Sequence, residues 1–551
     1  MDMTAASIPD ADADAASRSS WMSIIVIVMA QIMMVFNIST LQVSIEGIAS
    51  SFRTSATAIG TVIVTYALTV AALILLGARI AQVVGSLRVF RISVAAFGVG
   101  MLAMALSPSM TVAIVAQVIA GAAAAALAPT LVVLVADNYR AVQRDQALAW
   151  LGAAPAMGIV LAFLIAGSLA TWVGWRFMFG LLVALSALIF ALGGRLSSAP
   201  DQGWVTIDRI GVVLAALAIL LICVGASNLT AWGILLARPG APFAILDMSP
   251  APLAILSGIF LIQAFVAWSR RTAAAGGLPL ISPKVIDTRV ERSALFSIFI
   301  ISALASAITF LIPLYIQVIQ DGSSLQTAIA VIPFSIASFT AAVLVVRLFD
   351  RLSPRDIGRV SFLAVAAGVA WLGAVVRNDW HDVTVMFGMV LAGLGEGALV
   401  TLLFNVVVSA SPEHLAGDVG SARGATNNLA TAVGTAAAGA LVVGLLSSVL
   451  HTQLVHNSRI PVELKEQVDL NSPAFVSNAQ LHRRLANMNA QEPQISEAVR
   501  INADARLVAL KLTLFTFSGL SLLAIFPAGS LPDRTRNLAS DPALANDRAA
   551  R

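Results

Sequence analysis

The chain has 551 residues, of which 58% are hydrophobic and only 11% are charged, and its mean hydropathy is +0.90. Soluble domains are about a quarter charged and at most about half apolar, so this composition excludes a water-soluble globular protein and indicates a chain that lies mostly in a bilayer. The net charge of +4 does not favour nucleic-acid binding, because the basic residues lie in short loops between apolar runs. With the single cysteine, Cys223, neither an intrachain disulfide nor a thiolate metal site can form.

The first twenty residues are polar and acidic and lack the basic segment of a cleaved signal peptide, so residues 1–20 are predicted to be a disordered cytoplasmic tail. After them, runs of about 20 apolar residues, long enough to cross about 30 Å of hydrocarbon, predict about fourteen spans. These runs are residues 22–45, 57–77, 88–106, 111–136, 146–170, 175–196, 210–232, 250–268, 293–318, 325–349, 357–376, 383–409, 418–450 and 507–529.

The charges of the loops predict the orientation. If the N-terminus is cytoplasmic, the inner loops and both tails hold most of the basic residues, and the short outer loops hold only Arg53, Arg176, Arg238 and Arg377. The positive-inside rule therefore predicts a multi-pass protein of the inner (plasma) membrane with both termini in the cytoplasm. Residues 451–506 form a long polar outer loop, predicted to be a short helical hairpin that starts near Ser472-Pro473.

Two short basic turns occupy matching places in the two halves of the chain, residues 78–88 after the second span and residues 347–355 after the tenth. One interpretation is that they only fix the orientation of the spans. The other is that they control a conformational change, and the candidate gating residues are then Gln82, Gly85, Arg88, Asp350 and Arg351. The spacing alone leaves both interpretations open.

Over nearly all of residues 22–532 the chain resembles the major facilitator superfamily, in particular its fourteen-span drug:proton antiporter branch. The segments that carry the resemblance are Phe310 to Gln317, Ser324 to Pro333, Trp175 to Phe179, Gly417 to Gly434 with Asn427, and Leu531 to Arg534. The resemblance implies an all-α membrane protein of two six-helix bundles plus two extra central helices. We therefore expect an N-terminal bundle over 21–196, two extra helices and a cytoplasmic linker over 197–292, a C-terminal bundle over 293–529 that includes the outer loop, and a cytoplasmic tail over 530–551.

The chain departs from this family's pattern at four places. Ala78 and Gln82 replace Gly and Asp in the first basic turn, Gln117 stands where the fourth-span arginine is common, Ala162-Phe163 replaces a Gly-Pro pair, and Asn37 replaces the first-span acid of the drug-exporting branch. The expected fold is unaffected by these changes. Proton coupling is left open by them.

An acid in the middle of a span is a functional candidate, because a charge in hydrocarbon costs at least about 2–3 kcal/mol. Glu396 lies near the middle of the run 383–409, between Gly395 and Gly397 and close to Gly393. These glycines predict close approach of a neighbouring helix and hence a carboxyl group shielded from water. Glu396 either couples transport to a proton or a cationic substrate, or is a permanently protonated, hydrogen-bonded group.

Asn37, Thr40 and Ser44 share one face of the first span, with Gln42 nearby. Polar groups avoid lipid, so this face should line the bundle interior, either as cavity lining or as hydrogen-bonding contacts between helices. The same choice applies to polar residues of other spans. The predicted substrate or proton pathway consists of Glu396, Asn37, Thr40, Gln42, Gln117, Gln317 and Asn405.

The resemblance implies a secondary transporter that exports a hydrophobic or amphipathic small molecule by alternating access. The charge-poor polar face favours a neutral or lipid-like substrate. An uncoupled or lipid-type facilitator, and a non-transporting sensor or scaffold that uses the outer loop, are the alternatives. An enzyme is disfavoured because the sequence has no metal cluster, Ser–His pair or nucleotide loop, so we expect no catalytic residue, metal or cofactor, and a monomer in the lipid bilayer.

Overall fold

The computed structural model describes residues 21–139, 141–196, 208–233, 235–238, 241–244, 247–320, 322–349, 351–377, 383–410, 416–455, 478–487 and 491–532. The predicted tail 1–20 lies outside these residues, as does the predicted tail 530–551 beyond residue 532. Within the described ranges the structure is helical, and its only β-type pairing is an isolated bridge between Leu236 and Met248.

The helices of the first half lie between residues 21 and 274. They are α1 (Trp21–Val43), α2 (Ile45–Phe52), α3 (Ala56–Val84), α4 (Ser86–Ala105), α5 (Met110–Asn138), α6 (Ala141–Trp172) and α7 (Trp175–Leu192), followed by α8 (Arg209–Trp232) and α9 (Pro250–Ala274). Those of the second half are α10 (Arg289–Leu314) with a π-helical segment Tyr315–Ile319, α11 (Ser324–Val345), α12 (Pro354–Val375), α13 (Val383–Ala410), α14 (Ala416–Val455), α15 (Asn478–Asn487), α16 (Glu492–Leu523) and α17 (Ile525–Ala528).

Each predicted span falls on one of these helices, which confirms an all-α, multi-pass membrane protein. Among the described residues, thirteen helices are long and apolar enough to cross a bilayer. The remaining predicted span, the fifth at 146–170, falls on helix α6, whose described apolar stretch Met157–Ala170 is shorter. The last span is predicted to begin at residue 507, whereas α16 begins at Glu492. The first turns of this helix are polar, and a hydropathy pattern does not detect them.

Two sets of helices pack mainly among themselves. The first set is α1 and α3–α7, and the second set is α10–α14 and α16. The sets meet where α3 packs on α14 and where α6 packs on α11. Small residues permit both contacts, since Gly424 lies against Ile74 and Gly167 lies against Ala328.

Helices α8 and α9 form a hairpin outside both sets, which we call the auxiliary hairpin. Helix α8 covers the seam between α3 and α14, where buried residues such as Cys223, Ala67 and Ala432 form a separate apolar cluster. Helix α9 packs on α8 and has little buried surface of its own, as is typical of a helix that faces lipid. Below, the end of the bundle at which α1 begins is called the proximal end, and the end at which α1 finishes is called the distal end.

Candidate functional site

The polar face of α1 lies inside the bundle, as its spacing predicts. Asn37 and Gln117 are fully buried and exchange two hydrogen bonds, in which Asn37 Nδ2 donates to Gln117 Oε1 at 2.8 Å and Gln117 Nε2 donates to Asn37 Oδ1 at 3.3 Å. The two amides therefore tie α1 to α5 within the first set. Both residues stand where the resembling family carries charges, and here they form a neutral pair.

Further toward the distal end, the hydroxyl groups of Thr40 in α1 and of Ser44 just after α1 are also buried. Neither Thr40 Oγ1 nor Ser44 Oγ has a hydrogen-bond partner among the described residues. A buried hydroxyl without a partner costs about 1–3 kcal/mol, so these two groups are available to a bound molecule.

The two sets are joined at the distal end by Gln317. Its side-chain Nε2 donates to the backbone oxygen of Gln42 at 3.1 Å, and its Oε1 accepts from the backbone N–H of Glu46 at 3.0 Å. A continuous helix would pair these two backbone groups with each other, but α1 ends at Val43 and α2 begins at Ile45. The amide of Gln317 thus fills a break in the helix ladder of the other set.

The neighbouring side chain strengthens this distal contact, because Gln42 Nε2 donates to Thr309 Oγ1 of α10 at 3.2 Å. Gln317 can reach α1 because it lies in the π-helical segment that follows α10. Single-turn π segments occur frequently at functional sites, where they re-aim one side chain. Two predicted pathway residues, Gln42 and Gln317, therefore meet between the sets, next to the polar face of α1.

Glu396 lies in the second set, at mid-depth in α13, and its carboxylate accepts a hydrogen bond from Ser338 Oγ of α11. The glycines around it have the predicted effect, since a side chain at Gly393 or Gly397 would strike the backbone of α11 and one at Gly395 would strike that of α12. The carboxyl group is therefore held between closely packed helices. Its hydroxyl partner can bond either protonation state.

Asn405 does not join this group. It is nine positions from Glu396 on the same helix, or two and a half turns, so the two side chains leave opposite faces of α13. Its Nδ2 donates to the backbone oxygen of Thr401, one turn earlier. An amide that bonds within its own helix needs no ligand to be satisfied.

The predicted gating residues lie at the proximal end. Gly85 adopts φ +96°, a conformation that favours glycine, and makes the turn between α3 and α4. Arg88 and Arg351 are exposed, Gln82 is exposed and accepts from Arg79 Nη1 at 3.0 Å, and Asp350 lies outside the described residues.

The structure brings forward a different contact at this end, centred on Arg79 of α3. Arg79 Nη2 donates to the backbone oxygen of Pro279 at 2.8 Å and lies 3.9 Å from Asp418 Oδ1 of α14. The other oxygen of Asp418 accepts from the backbone N–H of Ser282 at 2.8 Å. The segment between α9 and α10 is therefore held between the two sets, a contact that sequence reasoning missed because its members are far apart in the chain.

Two further arginines were also missed. Arg506 of α16 is fully buried, and its guanidinium donates to the backbone oxygen of Val318 at 2.9 Å and to Asn478 Oδ1 of α15. It thus connects the polar segment before α16 to the π-helical segment that carries Gln317. Arg423 of α14 lies over the ring of Phe404 of α13, 4.3 Å from its centroid. The sequence does not reveal the buried position of Arg506, because this residue lies within the outer loop predicted over 451–506.

Two helical sets that touch through separable polar contacts at both ends, with a carboxyl group at mid-depth, define a membrane transporter. The chain belongs to the major facilitator superfamily, whose family model matches residues 27–435. Among the described residues no group of three His, Cys, Asp or Glu side chains could hold a metal ion. As a member of this family, the chain is a multi-pass membrane transporter of small molecules.

Relatives agree with this assignment. The chain is 26% identical to a lincomycin resistance protein of Streptomyces lincolnensis, over 77% of this chain and 85% of that one. It is 26% identical to a puromycin resistance protein of Streptomyces alboniger, over 81% and 85%. It is 25% identical to a multidrug resistance protein B homolog of Mycobacterium tuberculosis, over 80% and 78%.

Solved structures show the same fold at much lower identity. An auto-inhibited peptide transporter of the POT family matches with a TM-score of 0.59 at 14% identity, over 92% of this chain and 96% of that one. A bacterial homolog of the human lysosomal transporter Spinster matches with a TM-score of 0.58 at 12% identity, over 92% and 96%. The fold expected from the sequence is confirmed.

Proposed function

We propose that this transporter exports an uncharged or weakly charged amphipathic molecule from the cytoplasm, with Glu396 as the group that takes up and releases a proton. In this proposal the proximal end is cytoplasmic, the distal end faces outward, and one copy of the chain is sufficient. The observation that carries the proposal is the placement of the Glu396 carboxyl at mid-depth between two polar contacts that join the sets, Gln317 at one end and Arg79 at the other.

The interior supports the substrate class. Asn37 and Gln117 present amides, and Thr40 and Ser44 present buried hydroxyls, so the polar face of α1 can bond to carbonyl, hydroxyl or amide groups without a charge. An anion with two charges would lose its hydration without a balancing cation there. The names of the relatives from Streptomyces, which refer to resistance to lincomycin and puromycin, support amphipathic antibiotics as first compounds to test.

The environment of Glu396 supports proton exchange. Ser338 Oγ can donate to the carboxylate and can accept from the protonated acid, so both states keep a hydrogen bond. The close packing imposed by Gly393 and Gly397 limits access of water to this group. A carboxyl that changes its protonation while the sets move would couple export to the proton gradient.

The experiment is uptake of puromycin into inside-out vesicles with and without an imposed pH gradient. We expect Glu396→Gln to abolish the dependence on the gradient while the protein stays in the membrane. The matched control is Asp356→Asn, which neutralises an exposed carboxyl at the start of α12 and should leave the dependence intact. Gradient-driven export that Glu396→Gln leaves unchanged would remove Glu396 from coupling.

The same vesicles separate the alternatives. Transport that ignores the pH gradient in the unaltered protein, yet follows a substrate gradient, would favour the uncoupled facilitator that the neutral Asn37–Gln117 pair suggests. Failure to move any compound of a chemically broad panel would favour a sensor or scaffold. Tags at the two termini test the orientation, since the proposal requires both to be cytoplasmic.

A further inference from the structure

A crevice lies at the distal end, between the two sets and the auxiliary hairpin. Its volume is about 230 Å³. Helix α3 of the first set supplies one wall, α14 of the second set supplies the opposite wall, and α8 supplies a third through Ser227 and Ala231. The crevice begins at Ser55, which caps the N-terminus of α3, and reaches Val64, so it extends about 14 Å along the helix at 1.5 Å per residue.

The lining of the crevice is mostly apolar, with uncharged hydroxyl groups set into it. Hydroxyl groups come from all three walls, as Thr57 and Thr61 lie on α3, Thr435 lies on α14 and Ser227 lies on α8. No ionisable side chain is among the described residues that line it. Such a surface can bond to a hydroxyl or carbonyl group, but it offers nothing to balance a buried charge.

The floor of the crevice is the ring of Phe310 from α10. A methyl group at Gly60 of α3 would lie 3.1 Å from this ring, and one at Gly439 of α14 would lie 3.7 Å from it. The ring is therefore seated between glycines of opposite sets. Movement of the sets apart would release the ring and deepen the crevice toward the interior.

We propose that this crevice binds the polar end of the uncharged amphipathic substrate as it leaves the bundle, and that the auxiliary hairpin forms part of the binding site rather than serving only as a spacer. The volume is below the range of about 300–1,000 Å³ for sites that enclose a whole drug-sized ligand, so the crevice holds one end of the molecule and leaves the apolar remainder to lipid. The inference rests on the proposed export function for its direction only.

The first test is protection of an introduced cysteine. The native Cys223 is buried, so a cysteine at Ser227 is the site that an uncharged maleimide should label. We expect Nile red, an uncharged dye with a carbonyl acceptor, to slow labelling of Ser227→Cys about tenfold at a concentration about ten times its dissociation constant, because only the unoccupied protein reacts. The labelling control is Leu235→Cys, an exposed position in the connection that follows α8, which should react without being protected. Leu220, two turns before Ser227 on the same exposed face of α8, is the control for the next substitution.

The second test fills the crevice. Ser227→Trp should reduce export of puromycin about tenfold relative to Leu220→Trp, because an indole ring would occupy the space between α3 and α14. Equal export by the two variants, or equal labelling of the two cysteines with and without dye, would overturn the inference. Protection at Ser227 in a protein that exports nothing would contradict the proposed function and leave the binding site standing.

Discussion

The two contacts that join the helix sets differ in chemistry. At the distal end the contact is direct, neutral and buried, since Gln317 bonds to two backbone groups of the other set. At the proximal end the contact is charged, partly exposed and indirect, because Arg79 and Asp418 hold the segment 279–282 between them. The side chains of this pair are 15% and 22% exposed at 3.9 Å, so the ion pair itself contributes little, at most about 1 kcal/mol.

The difference indicates how each end is controlled. Opening the distal end exchanges two neutral hydrogen bonds to backbone groups for bonds to water, at a net cost of about 0.5–1.5 kcal/mol each, and salt changes this cost little. Opening the proximal end breaks a contact that water and ions can replace. The distal contact should therefore set the resting state, and the proximal contact should respond to conditions and to the linker.

Of the substitutions that test the difference between the two ends, Arg506→Met is expected to have the largest effect. The substitution removes a buried guanidinium that bonds to the backbone of Val318 and to Asn478, and leaves these acceptors without their donor. We expect the unfolding free energy to fall by roughly 2–3 kcal/mol, measured by thermal unfolding in detergent. Arg500→Met, on the exposed first turns of the same helix, is the control and should change stability little. Equal stability of both variants would show that the hydrogen bonds of Arg506 do not stabilise the distal end.

A smaller effect is expected from Gln317→Ala. It removes the amide that fills the break between α1 and α2, so the closed distal end should lose roughly 2 kcal/mol relative to the open one. The readout is the rate at which a cysteine at Thr40 reacts with a reagent added from the distal side. Gln320→Ala is matched in residue type and removes contacts to Tyr315 and Arg377 within the second set only. A faster reaction in the control than in Gln317→Ala would contradict the assigned contact.

The smallest effect is expected from Arg79→Gln, which keeps a donor and removes the charge. We expect the proximal end to open more readily by about 1 kcal/mol or less, and the difference from the unaltered protein to shrink at high salt. Labelling of a cysteine at Ser282 from the proximal side measures this. Arg195→Gln, which replaces an exposed arginine just after α7, is the control and should change little. A salt-independent effect would argue that backbone bonding by Arg79, rather than charge, holds the segment.

The fold could be predicted from the sequence because the length of an apolar run decides where a chain crosses a bilayer. The helical spacing of the polar residues in the first span also predicted that Asn37 and Thr40 are buried, which the structure confirms. The sequence does not show which face of a helix a single polar residue occupies. Asn405 and Glu396 are both predicted pathway residues, yet they lie on opposite faces of α13. Contacts that depend on distant segments could not be predicted from the sequence either. Arg79 and Asp418 are joined through a connecting segment, and Gln317 reaches α1 only because of a local π-helical turn.

The central claim is that the distal and proximal contacts open in alternation. It is tested most directly by electron–electron distance measurements on two doubly labelled proteins, one with labels at Ser50 and Arg377 across the distal end and one with labels at Arg88 and Arg351 across the proximal end, all exposed positions. On addition of a transported compound, one distance should lengthen as the other shortens. Distances that change together, or that stay fixed while transport proceeds, would contradict the account.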